Sequence, residues 1–278
     1  MGTITLSGQD VEAFREVIYD YYARHSRRFP WRETTDPYHI LVSEVMLQQT
    51  QTSRAVPKYH LFLDRFPDVQ TLALASLHDV LEAWQGLGYN RRAKYLQQAA
   101  VAIVDRFDGV VPSDEASLRS LPGIGPYTAA AVRAFAFNVP AVVMDTNVRT
   151  VFIHFFFPAQ DEVDDADIRP LVEATLDRDN PRRWYSALMD YGVMLKQRYG
   201  NPGRTSTSYT RQSQFEGSDR QIRGEIVRLL LDTPGMTRQG LVDAIDADEA
   251  RVLGVVGRLC EEHMVVERHN RLYIPQKR

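Results

Sequence analysis

Gly123 and Gly125 stand two apart in Leu121-Pro122-Gly123-Ile124-Gly125-Pro126-Tyr127-Thr128-Ala129, and this string constrains the chain more than any other. An amphipathic helical stretch precedes it, and Ala129 to Phe137, nearly all apolar, follows as a buried helix. Glycine permits a tight backbone and removes side chains that would hold a ligand away. The backbone N–H groups of the turn and of the next helix start then face an anion. Pro126 suits a first helical turn. Two readings follow: a helical hairpin that grips phosphate, or a plain glycine turn. For a G-x-G taken alone the plain turn is favoured.

The rest of the chain is helical in pattern. Ser7 with Asp10 makes a capping box before Val11, Phe14, Ile18 and Tyr21 at helical spacing. Leu41 to Thr50 reads as a compact apolar helix, and Ser76 with Asp79 caps one that stops at Gly86-Leu87-Gly88. Further helices are expected over Arg92 to Phe107, Leu171 to Leu176 and Trp184 to Leu195. Residues 197–218 are polar and rich in Gly, Pro and Ser/Thr, the composition of a linker. Beyond it, Ile222 to Leu231, Arg238 to Ile245 and a helix opening at Asp248 precede two alternating runs across His269-Asn270. Three helices and a hairpin form a winged-helix pattern. The expected domains are thus a core over 1–196, a linker over 197–218 and a winged-helix-like domain over 219–278, with a wing carrying Arg268, His269, Arg271 and Lys277.

Composition excludes several classes. Cys260 is the single cysteine, which leaves no disulfide framework and no four-thiolate cage within the chain. The histidines, His39, His154 and His263 among them, lack metal-ligand spacing, so no metal is expected. A net charge of −3 means that any basic surface is local. The N-terminus lacks a signal pattern, and no run reaches the ~18 apolar residues of a membrane span. The expectation is a cytoplasmic protein, associated with the nucleoid through DNA, with no membrane partner.

Two carboxyl groups occupy settings suited to chemistry. Glu44 lies among Val42, Val45, Met46 and Leu47, where desolvation favours a protonated acid. Asp145 follows the apolar Ala141 to Met144 and stands at a helix start, where the backbone stabilises negative charge. The plain alternatives are a solvent-facing glutamate and an N-cap aspartate.

LPGIGPYTAAAV, followed by Val143-Met144-Asp145-Thr146-Asn147-Val148, resembles the helix-hairpin-helix DNA glycosylases, the group of endonuclease III and MutY. Phe29-Pro30-Trp31-Arg32, SEVMLQQTQT over 43–52 and GLGY over 86–89 bring the resemblance closer to the MutY adenine glycosylases. It covers roughly residues 10 to 195. It implies a mainly α, two-lobed core and a base flipped out of the duplex. By this resemblance Glu44 protonates a purine N7, Asp145 faces the anomeric carbon and Asn147 orients Asp145. Tyr127 stands where bifunctional relatives carry a Schiff-base lysine, so a monofunctional enzyme is expected. Gln49 and Tyr89 correspond to wedge residues, and Arg91 is placed to meet phosphate. Leu121, Gly123, Gly125 and Thr128 form the DNA-binding hairpin, and Trp31, Arg32 and Ser186 the base pocket.

The chain departs from that family at several points. Lys196, Gly203, Ser206 and Gln212 stand near the spacing of four cysteines that bind an iron–sulfur cluster in relatives, so the cluster is expected to be absent and no cofactor is expected. Ser186 occupies the place of an acidic residue on the last core helix by this register, Thr146 replaces a glycine, and Asn90 replaces a second tyrosine. The expected function is a monomeric glycosylase acting on double-stranded DNA with a mismatch or damaged base, excising a purine, foremost adenine opposite guanine or 8-oxoguanine. Two alternatives stand beside it. One is excision of thymine, uracil or hypoxanthine. The other is a non-catalytic DNA-structure binder, against which the pair Glu44 and Asp145 argues.

Overall fold

The computed structural model describes residues 4–211 and 214–276. Gln212 of the linker and Lys277 of the wing lie outside them. The helices are α1 (Gly8–His25), α2 (Pro37–Leu47), α3 (Thr52–Arg65), α4 (Val69–Leu74), α5 (Leu77–Trp84), α6 (Arg91–Phe107) and α7 (Glu115–Arg119). They continue as α8 (Pro126–Phe137), α9 (Thr146–Phe156), α10 (Asp165–Thr175), α11 (Pro181–Arg198), α12 (Asp219–Asp232), α13 (Arg238–Ala244) and α14 (Glu249–Glu261). Strands β1 (Val266–Arg268) and β2 (Arg271–Tyr273) pair antiparallel, with Glu267 opposite Leu272.

The caps expected from sequence are formed. Ser7 and Asp10 cap each other reciprocally, and Ser76, Thr237 and Asp248 each accept a backbone N–H of the following first turn. Two helices start earlier than their apolar runs. Asp36 opens α2 by accepting the His39 N–H at 3.0 Å, with Pro37 as first residue. Asp164 caps α10, which carries Pro170 inside it.

The chain divides into two compact units. The first comprises Met1–Ile40, Ser113–Arg119 and Gly125–Arg211. Its core joins Phe14 and Ile18 of α1, Val148 and Phe152 of α9, and Trp184 and Leu188 of α11. Phe14 meets Phe152 and Trp184 edge-on, with ring centroids 5.4 and 5.8 Å apart. Such aromatic contacts add to area burial, and truncating one of these rings costs roughly 3–5 kcal/mol. Residues 200–207, polar in composition, are nonetheless ordered against this core. Val163 donates its N–H to the Thr205 carbonyl at 2.9 Å and accepts the Thr207 N–H at 3.0 Å, around a parallel bridge between Val163 and Ser206, and a Cβ at Gly203 would stand 2.6 Å from the Thr150 hydroxyl.

The second unit comprises Leu41–Pro112, Ser120–Ile124 and Gln212–Arg278. Helix α4 packs on α6, and Leu72 and Ala73 of the first and Leu96, Ala99 and Ile103 of the second are buried. The C-terminal helices join this unit: α12 packs on α14 and α5, and the His78 N–H donates to the Pro275 carbonyl at 3.1 Å. His269 and Asn270 both adopt positive φ, 50° and 63°, as a two-residue hairpin turn requires. Met236 bridges to Leu272 and adds a third short extended segment beside the hairpin.

Candidate active site

Asp145 is the N-cap of α9. One carboxylate oxygen accepts the backbone N–H groups of Asn147 at 2.8 Å and Val148 at 2.6 Å. The other accepts the Asn147 side-chain amide at 2.9 Å. The N-cap of α9 and a side-chain hydrogen bond from Asn147 therefore share one carboxylate. Asn147 is itself held: its side-chain oxygen accepts from Lys196 Nζ at 2.9 Å. Burial pushes the Lys196 ammonium below its ordinary pKa, against the charge of Asp145, which raises it. Gly192 of α11 makes room here, because a Cβ on it would lie 2.6 Å from the Asn147 carbonyl oxygen.

Arg32, in a short helical turn over Pro30–Arg32, donates through both terminal nitrogens to the two oxygens of Asp190 at 2.9 Å. Arg27 adds its Nε at 2.7 Å and its backbone N–H at 2.9 Å. Burial pushes the Asp190 carboxyl up, but the Arg32 hydrogen bonds and charge, with those of Arg27, hold it below the usual carboxylate range. Trp31 is buried and stacks on Phe29 at 5.0 Å. Ser186 is buried one helical turn before Asp190, and its carbonyl accepts from Arg32 at 3.3 Å. The buried acid of the last core helix is thus Asp190, which sequence reasoning passed over in favour of Ser186. Tyr127, in the first turn of α8, packs against the core of the same unit, and Thr128 beside it is buried. Gly125 is the N-cap of α8.

The remaining candidates belong to the second unit. Glu44 is only 6% exposed, inside a run of α2 where Leu41, Val42, Ser43, Val45 and Met46 are all buried, which removes the solvent-facing alternative. Gln49, just past α2, and Tyr89, just before α6, both have positive φ, 55° and 48°. Arg92 is buried between their loops and donates to the carbonyls of Val45, Met46, Gln48, Leu87 and Gly88 and to the Thr50 hydroxyl. Taking this cation out of water lowers its pKa to about 10. Arg91, expected to meet phosphate, donates to the Glu262 carboxylate after α14. In the hairpin turn, Leu121 is buried and accepts the Ile124 N–H at 3.2 Å. Gly123 has φ +74°, and a Cβ there would lie 2.6 Å from Tyr95, so both conformation and space require glycine.

The residues near the cysteine spacing of the family do not fit a thiolate-held cluster. Lys196 is bonded to Asn147, Gly203 lies against Thr150 and Ser206 bridges Val163. The one cysteine, Cys260, is in the other unit. His78, Asp79 and Glu82 come together on α5, but Arg65 already pairs with both carboxylates, at 2.8 and 2.6 Å.

Comparison with known proteins bears on what this geometry serves. The model of the HhH-GPD superfamily of base excision DNA repair proteins matches residues 42–169. The adenine DNA glycosylase of Mycolicibacterium smegmatis is 35% identical over 245 residues, 82% of this chain and 84% of that protein. That of Mycobacterium tuberculosis is 36% identical over 239 residues, 76% of each. Among solved structures, a thermostable thymine-DNA glycosylase superposes with a TM-score of 0.62 at 25% identity, over 69% of this chain and 90% of its own. A trapped endonuclease III–DNA covalent intermediate gives 0.54 at 21% identity, over 69% and 86%. Both solved structures share the fold of this chain.

Proposed function

The chain belongs to the HhH-GPD superfamily of base excision DNA repair proteins, and from that membership we propose that it is a DNA glycosylase that hydrolyses the N-glycosidic bond of a flipped adenine. Its substrate is double-stranded DNA in which that adenine faces guanine or 8-oxoguanine. The observation that carries this reading is the Asp145 carboxylate, immobilised by three donors at the start of α9.

In this reading Glu44 donates its proton to N7 of the extruded adenine, so that the base leaves neutral. As the C1′–N9 bond breaks, positive charge develops on the deoxyribose, and the fixed Asp145 anion stabilises it. A carboxylate already oriented by Asn147 needs no reorganisation at that moment. Water then adds to C1′ and loses a proton, leaving free adenine and an abasic site. Tyr127 offers a phenol rather than an amine, so no imine with the sugar arises there and base release proceeds without strand scission. The buried Trp31 and the Arg32–Asp190 pair supply a rigid wall for a planar base.

The second enzyme reading, excision of thymine, draws on the 25% likeness to a thymine-DNA glycosylase. Pyrimidines offer no N7, so the two readings part at Glu44. Glu44→Gln should slow adenine release by at least about a hundredfold, the scale of losing a general acid. Asp145→Asn should abolish release while duplex affinity stays within a few-fold, since the charge acts on the transition state. Single-turnover rates and titrations with a mismatched duplex check both. Near-normal adenine release by Glu44→Gln would remove Glu44 as the general acid, whereas thymine release that Glu44→Gln leaves unchanged would favour the pyrimidine reading.

A further inference from the structure

Tyr89 holds a left-handed backbone conformation on the loop between α5 and α6, a state that side-chain-bearing residues keep only where their surroundings impose it. Two guanidinium groups lie over its ring, Arg92 at 5.5 Å and Arg220 at 5.1 Å from the centroid. Arg92 comes from α6 and is locked by its carbonyl partners. Arg220 comes from the first turn of α12, donates to the Tyr89 hydroxyl and also lies over Phe215 at 5.3 Å. The start of α12 is anchored in turn, because Asp219 accepts from Arg251 and Arg258 at 2.7 Å each. Tyr89, Arg220 and Phe215 line a cavity of about 890 Å³ together with Gln49 and Arg54. Its walls carry seven arginines against one carboxylate, Asp219.

We propose that Arg220 is the positioning residue of Tyr89, which makes the C-terminal segment a working part of the wedge that fills the gap left by a flipped base. This rests on the glycosylase reading. A tyrosine that enters a duplex must present its ring at a fixed angle while the strands bend around it. A guanidinium over the ring and bonded to the hydroxyl restrains both the ring and its tip, and the same guanidinium lies over the Phe215 ring. The electropositive cavity around the trio suits the phosphodiester strand opposite the flipped base.

The test uses the full chain and a duplex with a central guanine–adenine mismatch, 2-aminopurine beside the guanine and a 2′-fluoro sugar on the adenine to block cleavage. Wild-type binding should raise the 2-aminopurine fluorescence as the wedge unstacks it. At saturating protein, Arg220→Ala should lose most of that rise, and its single-turnover release from the unmodified mismatch should fall on the order of tenfold. Arg220→Lys keeps a donor for the hydroxyl and should recover part of both. Phe215→Ala, a change at an exposed position, should lower the fluorescence in the same direction. In a Tyr89→Ala background, Arg220→Ala should change neither readout. A mere brace would instead lower the melting temperature and cost the same in both backgrounds. Equal cost in the two backgrounds, or fluorescence of Arg220→Ala at or above wild type, overturns the proposal. A wild-type protein that unstacks the probe in an Arg220-dependent way but frees no adenine contradicts the adenine reading alone.

Discussion

The Asp145 carboxylate receives three hydrogen bonds at 2.6–2.9 Å, and one of them comes from an amide whose far end is held by Lys196. Lys196→Met keeps the aliphatic stem but frees the Asn147 amide to rotate. It should lower the single-turnover rate several-fold to about tenfold, with duplex affinity nearly unchanged, as expected for a residue that orients a catalytic group. Asp190 makes a different prediction. Its folded pKa lies below the ordinary value of 3.8. A depressed carboxylate contributes stability that is present above the unfolded pKa and lost as pH falls through the folded one. Acid unfolding of the wild type below about pH 4 should therefore include an Asp190 component, and Asp190→Asn should flatten that part of the stability–pH curve while being less stable at neutral pH. Denaturant titrations from pH 7 to 3 check this. The helix-start position of Asp145 and the apolar setting of Glu44 were legible in the sequence because a cap and a lone acid in an apolar run are local signals. Asp190 was missed because its two cations, Arg27 and Arg32, lie more than 150 positions away in the chain. The available signal was burial: Trp184 to Leu188 and Leu195 make α11 apolar nearly all round, and an acid on such a helix requires a paired cation.

Helices α9 and α11 approach closely where Gly192 meets Asn147. Gly192→Ala places a methyl group 2.6–2.9 Å from the backbone and Cβ of Asn147, so one of the two helices must shift. Overpacking of this kind costs roughly 1–3 kcal/mol, and here it also tilts the Asp145 cap. The variant should melt earlier and excise more slowly even at temperatures where it is fully folded; Gly192→Ala with wild-type kinetics would show that α9 tolerates the shift. Helix interiors and caps were legible because apolar spacing and Ser/Thr/Asp chemistry are written within a few residues. Two starts were not. The apolar runs from Leu41 and Leu171 mark neither the Pro37 start of α2 nor the Asp165 start of α10, because an aspartate, Asp36 or Asp164, begins each helix upstream of its run. The polar stretch after α11 was read as linker because composition records solvation tendency, whereas its order comes from small residues, Gly203 and Ser206, fitting against α9 and Val163.

At the scale of the molecule, residues 212–278 fall into one compact unit with Leu41–Pro112. Two contacts at Glu262 tie them there: its carboxylate accepts from Arg91 and its backbone carbonyl from Lys94, while Arg223 holds the same carboxylate from α12. The sequence shows a composition break before α12 but not which neighbour the following helices pack on, since Arg91 and Lys94 are separated from Glu262 by some 170 positions. Among the described residues no helix is long and apolar enough to cross a membrane. The central claim is that this scaffold releases adenine. It is tested most directly by incubating the full chain with duplexes bearing adenine, thymine or uracil opposite guanine, and adenine opposite 8-oxoguanine, then identifying the freed base by mass. Adenine released from the adenine-containing duplexes, with the strand cut only after alkali, is the predicted result. Release of thymine or uracil with adenine left in place, or no free base from any duplex, would contradict it.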